Sequence, residues 1–186
     1  MMLLLQERFR TPLLNTMPTL LKAIIRITMG RRDRCTDANY ETCDCESCDS
    51  CDSMANGNKN GVLLKGLLEA KSLALISASF MFIFKRDLRW CPMFTKLKTL
   101  LLNDYWCVPN DFRALACILE HSPVLEKLTL QLGEACLKHV EMKFRIIPMK
   151  RSIAISEHLK IVEFNCEVVD DRVLKVMKFL SAFTIF

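Results

Sequence analysis

The sequence predicts an α/β solenoid: parallel strands stacked side by side, helices on the outer side, in about five irregular repeats. Three observations predict it. Leu97, Leu100 and Leu102 spell L-x-x-L-x-L, and Leu125, Leu128 and Leu130 repeat it 28 residues later. Between the two lies a segment with helical spacing. The same offsets return at Leu159, Val162 and Phe164, at Ala70, Leu73 and Leu75, and at Leu20, Ala23 and Ile25, with Ile27 in the place of Leu132. The starts at 20, 70, 97, 125 and 159 are 50, 27, 28 and 34 residues apart. Two steps fall in the roughly 20–29-residue period of leucine-rich repeats, and two require insertions. Alternating apolar residues turn one face of each strand inward, and one unit cannot cover that face alone, so stacked units bury it jointly. The alternative is an ordinary α/β domain with leucine-rich strands.

The elements follow in order. Residues 1–32 hold a first repeat strand at residues 20–28, closed by Arg31 and Arg32. Residues 33–60 are acidic, polar and aperiodic, and read as an inserted loop. Residues 61–132 carry the repeats proper. Within them, residues 80–84 are an apolar run expected to be buried, and residues 87–90 form a helical turn stopped by Pro92. Asn110 is placed to cap a helix with Phe112, Leu115, Ala116 and Leu119 on one face, ended by Ser122-Pro123. Residues 133–154 are a second insertion, with strand-like alternation at residues 140–146. Residues 155–186 hold a last repeat strand at residues 159–166. Asp170 then caps a helix over residues 171–183, with Val173, Val176, Met177 and Leu180 on one face.

Composition narrows the function classes. With 186 residues, 51% of them hydrophobic, and only five glycines and six prolines, the chain can bury a sizeable core. The richest apolar run, residues 72–84, is closed by Lys71 and Lys85 and is too short to span a bilayer. The opening MMLLLQERFR lacks the basic-then-apolar order of a signal peptide. No membrane partner is expected, and a reducing compartment, cytoplasmic or nuclear, is. The net charge of +5 conceals a segment at residues 33–52 that carries −6 against +11 elsewhere. The bases are scattered. Their densest group, Lys138, Lys143, Arg145, Lys150 and Arg151, lacks the interleaved aromatics of a single-strand binder, so nucleic acid is not expected.

Among ten cysteines, five cluster as Cys35, Cys43, Cys45, Cys48 and Cys51. Thiolates at the density of Cys43, Cys45, Cys48 and Cys51 bind zinc or copper(I) when suitably arranged. Here they form one tract without a histidine, among seven acids that raise thiol pKa, and no cofactor is expected. Cys91, Cys107, Cys117, Cys136 and Cys166 read as small core residues. His121 follows a helix, while His139 and His158 are isolated. No nucleophile elbow, phosphate loop, zinc-protease or dinucleotide motif occurs, so the expectation is a non-enzyme. The remaining candidate surface lies between the core leucines. It comprises Lys98, Thr99 and Leu101, then Glu126, Lys127, Thr129 and Gln131, then Lys160, Ile161 and Glu163. This mixed polar row on a concave sheet suits a protein or peptide partner.

The segments FKRDLRWCPMFTKLKTLLLNDYWCVPNDFRALACILEHSPVLEKLTLQL and SEHLKIVEFNCEVVDDRVLKVMKFLSAF resemble the C-terminal leucine-rich and FBD-type regions of plant F-box proteins, as does the upstream TPLLNTMPTLLKAIIRIT. In that family the repeats select a target and a separate F-box docks the Skp adaptor of a cullin-type ubiquitin ligase. The resemblance therefore implies a substrate-recognition module. No F-box with its L-P-x-x-hydrophobic opening stands in this sequence, so binding to a Skp-type adaptor is not expected. The alternatives are a metal-binding scaffold through the tract from Cys35 to Cys51, or a truncated product without function.

Overall fold

All strands but the first form where apolar residues alternate, and their inward residues set how they pair. A computed structural model describes residues 1–7, 17–27, 62–77, 88, 91–107, 112–133 and 157–181. It contains one open six-stranded sheet, all parallel: β1 Met2–Glu7, β2 Lys22–Ile27, β3 Ser72–Ser77, β4 Thr99–Asn103, β5 Lys127–Leu132 and β6 Ile161–Cys166. Each strand pairs with the next in sequence. Three helices are described, α1 Val62–Lys65, α2 Arg113–Glu120 and α3 Asp171–Ser181, with a 3₁₀ turn at Asp104–Cys107.

Register follows the leucine offsets. Ala23, Leu73, Leu100, Leu128 and Val162 stand in one cross-strand row, and Ile25, Leu75, Leu102, Leu130 and Phe164 in the next. From β2 to β5 these residues are all buried. One row earlier, Leu20, Ala70, Leu97 and Leu125 are buried too.

Two backbone devices recur at the strand entrances. The N–H groups of Leu20, Ala70, Leu97 and Leu125 each donate to the carbonyl three residues back, on Met17, Leu67, Phe94 and Ser122. One carbonyl in each unit then accepts two successive N–H groups from the next. The acceptors are Met1, Leu21, Lys71, Lys98 and Glu126, and the donors are residues 21–22, 71–72, 98–99, 126–127 and 160–161, at 2.9–3.3 Å. A carbonyl oxygen has two lone pairs and can accept both. The tight turn aims the chain, and the doubled bond fixes where the next strand begins.

The exit ends are held by side chains. Asn103 accepts from the Ser77 N–H at 3.0 Å and donates to the Ser77 carbonyl at 2.8 Å. Trp106, fully buried, donates its indole N–H to the Leu75 carbonyl at 3.1 Å and meets Tyr105 edge-to-face. The Gly133 N–H donates to Asp104, and Arg172 donates to the Gly133 carbonyl and to Asp170. That chain links β4, β5 and α3.

Several expectations need correction. The opening residues supply a sixth strand, β1, so residues 1–32 hold two strands where one was read. Residues 1–5 are uniformly apolar and show no alternation to mark a strand. Helix α2 starts at Arg113 with Phe112 at its N-cap position and no side-chain cap bond there. Phe112 instead packs on Phe179 of α3, ring centroids 4.6 Å apart. Met177 of α3 is 45% exposed, because Val173, Val176 and Leu180 alone fill the inward stripe. The Asp170 cap stands: its Oδ1 accepts from the N–H groups of Arg172 and Val173 at 3.0 and 3.1 Å. Asn110, the run at residues 80–84, the loop at 33–60 and the strand-like residues 140–146 lie outside the described residues.

Two substitutions test this packing. Leu102→Ala should destabilise the chain by about 2–5 kcal/mol in urea unfolding, while Leu101→Ala, on the opposite face of the same strand, should cost less than about 1.5 kcal/mol. Asn103→Asp keeps the acceptor for Ser77 but removes the amide donor and sets a carboxylate against the Ser77 carbonyl. It should lower stability by about 1–3 kcal/mol.

Candidate functional site

The face of the sheet opposite the leucines carries three register-matched rows. The first runs Lys22, Ser72, Thr99, Lys127, Ile161, and the second Ile24, Ala74, Leu101, Thr129, Glu163. In the third, Arg26 pairs with Ile76 and Asn103 with Gln131 and Asn165. Across β2–β4 the middle of this face is apolar and half-buried, through Ile24, Ala74, Ile76 and Leu101. Across β5 and β6 it turns polar.

The expected partner-binding residues separate into two groups. Thr99, Lys127, Thr129, Gln131 and Glu163 lie on this outward face. Lys98, Glu126 and Lys160 do not. Each precedes its strand, at the rim where Lys98 and Glu126 supply doubled carbonyl acceptors. The pleat alternates only once the strand begins, so the residues at the bend fall outside the rows.

The polar end of the face is internally bonded. Lys127 Nζ donates to Glu163 Oε1 at 2.7 Å, and Thr129 Oγ1 donates to Glu163 Oε2 at 3.3 Å. This arrangement leaves Thr129 only 8% exposed despite its outward position. The bond from Lys127, with help from its charge and from Thr129, holds the Glu163 carboxyl below its ordinary value. At the rim, Lys98 Nζ donates to Glu126 Oε1 at 2.7 Å and lowers the Glu126 carboxyl in the same way. Pairs this exposed add little to stability. Their effect is to fix side-chain positions on the surface. Gln131 and Asn165 stand exposed beside the bonded cluster.

A second cluster lies elsewhere. Cys91, Cys117 and His121, all half-buried, bring one ligand atom each to within 4.8 Å of one another. Cys117 sits on α2 and His121 caps its C-terminal end, four residues on and one helical turn away. The segment containing Cys91 is held alongside, since the Phe94 N–H donates to the His121 carbonyl at 2.7 Å. His121 Nδ1 lies 2.8 Å from the Cys117 carbonyl. The carbonyl has no proton to give, so Nδ1 is the donor in this bond. A bond from the Cys91 thiol lowers the Cys117 thiol, against burial and the nearby Glu120 carboxylate, which raise it. Cys107, by contrast, is pushed up to about 12 by burial and by Asp104. Reading Cys91 and Cys117 as plain core residues missed this cluster. Its one sequence signal was the C-x-x-x-H spacing of Cys117 and His121. Cys43, Cys45, Cys48 and Cys51 lie outside the described residues.

No protein-family model, curated protein or solved structure matches this chain. Among the described residues no helix is long and apolar enough to cross a membrane.

The depressed Glu163 carboxyl sets a pH dependence. Its contribution to stability should be complete above the ordinary value of 4.5 and fade as pH falls through the lower folded value. NMR titration should find Glu163 below 4.5 in the native chain and raised toward it in Lys127→Met.

Proposed function

We propose that this chain is a leucine-rich-repeat solenoid that binds a protein or peptide target on the outward face of its sheet, as the recognition half of an F-box-type ubiquitin-ligase adaptor does. Its role is binding rather than catalysis, in the cytoplasm or nucleus. The observation that carries the reading is the outward face itself. Two rows of side chains stand in register across β2 to β6, with a third in two pieces, and take no part in the leucine core. The recurring turn and the doubled carbonyl bond support a repeat architecture beyond the leucine pattern, because they are backbone features that recur at the same offsets. An apolar centre flanked by a fixed polar cluster is the composition of a protein-binding patch, where a buried apolar core is ringed by polar contacts.

The polar cluster around Glu163 would present a preordered edge to the target, and Gln131 and Asn165 would supply adaptable hydrogen bonds. The target is then a segment that lays apolar side chains over Ile24, Ala74 and Leu101 and polar groups over β5 and β6.

Affinity capture from native extract tests this. Leu101→Arg and Gln131→Arg should each reduce a specifically captured target at least about 10-fold, since a truncated or blocked central contact costs on the order of 2 kcal/mol. Lys96→Gln, in the turn before β4 where Lys96 pairs with Glu69, should leave capture unchanged, and all three variants should unfold within about 1.5 kcal/mol of the parent chain. Undiminished capture by both outward-face variants would remove the face from the binding site.

A further inference from the structure

We infer that Cys91, Cys117 and His121 form a binding site for a thiophilic d-block cation, zinc(II) or copper(I), that clasps the segment before β4 to the C-terminal end of α2. The site is distinct from the outward face of the sheet and does not depend on what that face binds.

The argument begins with the donor set. Two thiols and an imidazole are the ligands that select zinc or copper(I), and they do so at short range. Tetrahedral zinc with sulfur at about 2.3 Å holds two thiolates about 3.8 Å apart. The ligand atoms here lie within 4.8 Å of one another, so closing on the ion requires side-chain adjustments of about 1 Å or less.

The second argument is orientation. Cys117 and His121 are four residues apart at the end of one helix and share a face. The Nδ1 bond to the Cys117 carbonyl holds the ring against the helix end, and one ring nitrogen lies within 4.8 Å of both sulfurs. Metal-bound histidines are held in this way, with the second nitrogen donating to a backbone carbonyl. The third ligand is delivered by the fold rather than by local sequence. Cys91 lies 26 residues before Cys117, and the bond from the Phe94 N–H to the His121 carbonyl at 2.7 Å ties its segment to the helix end.

The third argument is environment. All three side chains are half-buried, so an ion would be partly shielded from water yet reachable from it. Three protein ligands leave the fourth tetrahedral position to water or to an external donor. On binding, the thiol protons of Cys91 and Cys117 pass to solvent and two sulfur–metal bonds form. No electron is transferred.

The test uses the full chain, reduced, with Cys35, Cys43, Cys45, Cys48 and Cys51 changed to serine, so that the acidic tract contributes no ligands. Cobalt(II) serves as the optical probe, followed by zinc(II). The expected result is one cobalt per chain, with thiolate-to-cobalt charge-transfer absorption and the strong visible bands of a tetrahedral ion, displaced by one equivalent of zinc. Cys117→Ser and His121→Gln should each weaken binding more than about 100-fold, beyond the loss from removing an outer-shell partner. Cys107→Ser should leave it unchanged. Because Cys117→Ser could loosen α2, alkylation of the otherwise unsubstituted Cys91 and Cys117 is followed by peptide mass spectrometry. One equivalent of zinc should protect both, and leave the labelling of Cys166 unaltered. Absence of a tetrahedral cobalt spectrum, or zinc binding that leaves Cys91 and Cys117 equally open to alkylation, would overturn the assignment.

Discussion

The structure depends on a doubled hydrogen bond. In five successive steps one carbonyl accepts two N–H groups from the following unit, and in four of them the acceptance follows a tight turn that buries an apolar residue. In a parallel sheet, register is not set by a short hairpin, because the strands are joined by long crossovers. Here those crossovers vary widely, and the longest passes through 44 residues between β2 and β3. A local device at each strand entrance makes register independent of crossover length. Long insertions are then tolerated, since loop closure costs grow only slowly with length.

From that constraint the two faces follow. A one-residue slip would move every leucine to the opposite face. With register fixed, the inward rows close into a buried core, and Trp106 and Asn103 secure the exit end of β3. The outward rows are then free to vary. They grade from Ile24, Ala74 and Leu101 to the bonded trio of Lys127, Thr129 and Glu163. The same arrangement explains the metal-ligand cluster. The turn before β4 carries Phe94, whose N–H meets the end of α2, so the segment containing Cys91 comes to rest beside Cys117 and His121.

Much of the sheet was legible in the leucine offsets, because alternation is a local property and burial selects for it directly. The rows through Leu73, Leu100 and Leu128 stand where the offsets place them. What was not legible shares a different physical origin. Strand β1 has no alternation in its first residues and pairs only through its neighbour β2. Phe112 occupies the N-cap position of α2 because its ring is needed against Phe179, a tertiary demand that overrides capping preference. Helical spacing put Met177 on the inward arc, but only the narrower stripe of Val173, Val176 and Leu180 finds a surface to cover. Lys98, Glu126 and Lys160 were grouped with the outward face because the strand start cannot be fixed to within one residue from the pattern alone. The cysteine–histidine cluster needed a contact across 26 residues of sequence, of which only the Cys117–His121 spacing was visible.

The most direct test of this account is native-state hydrogen exchange at the ladder amides. Those of residues 71–72, 98–99 and 126–127 should exchange together, protected to nearly the free energy of global unfolding, because each pair is held by one carbonyl inside a cooperative sheet. If the pairs exchange independently, or at the rate of exposed turn amides, the doubled bonds do not set the register and the account of the fold fails.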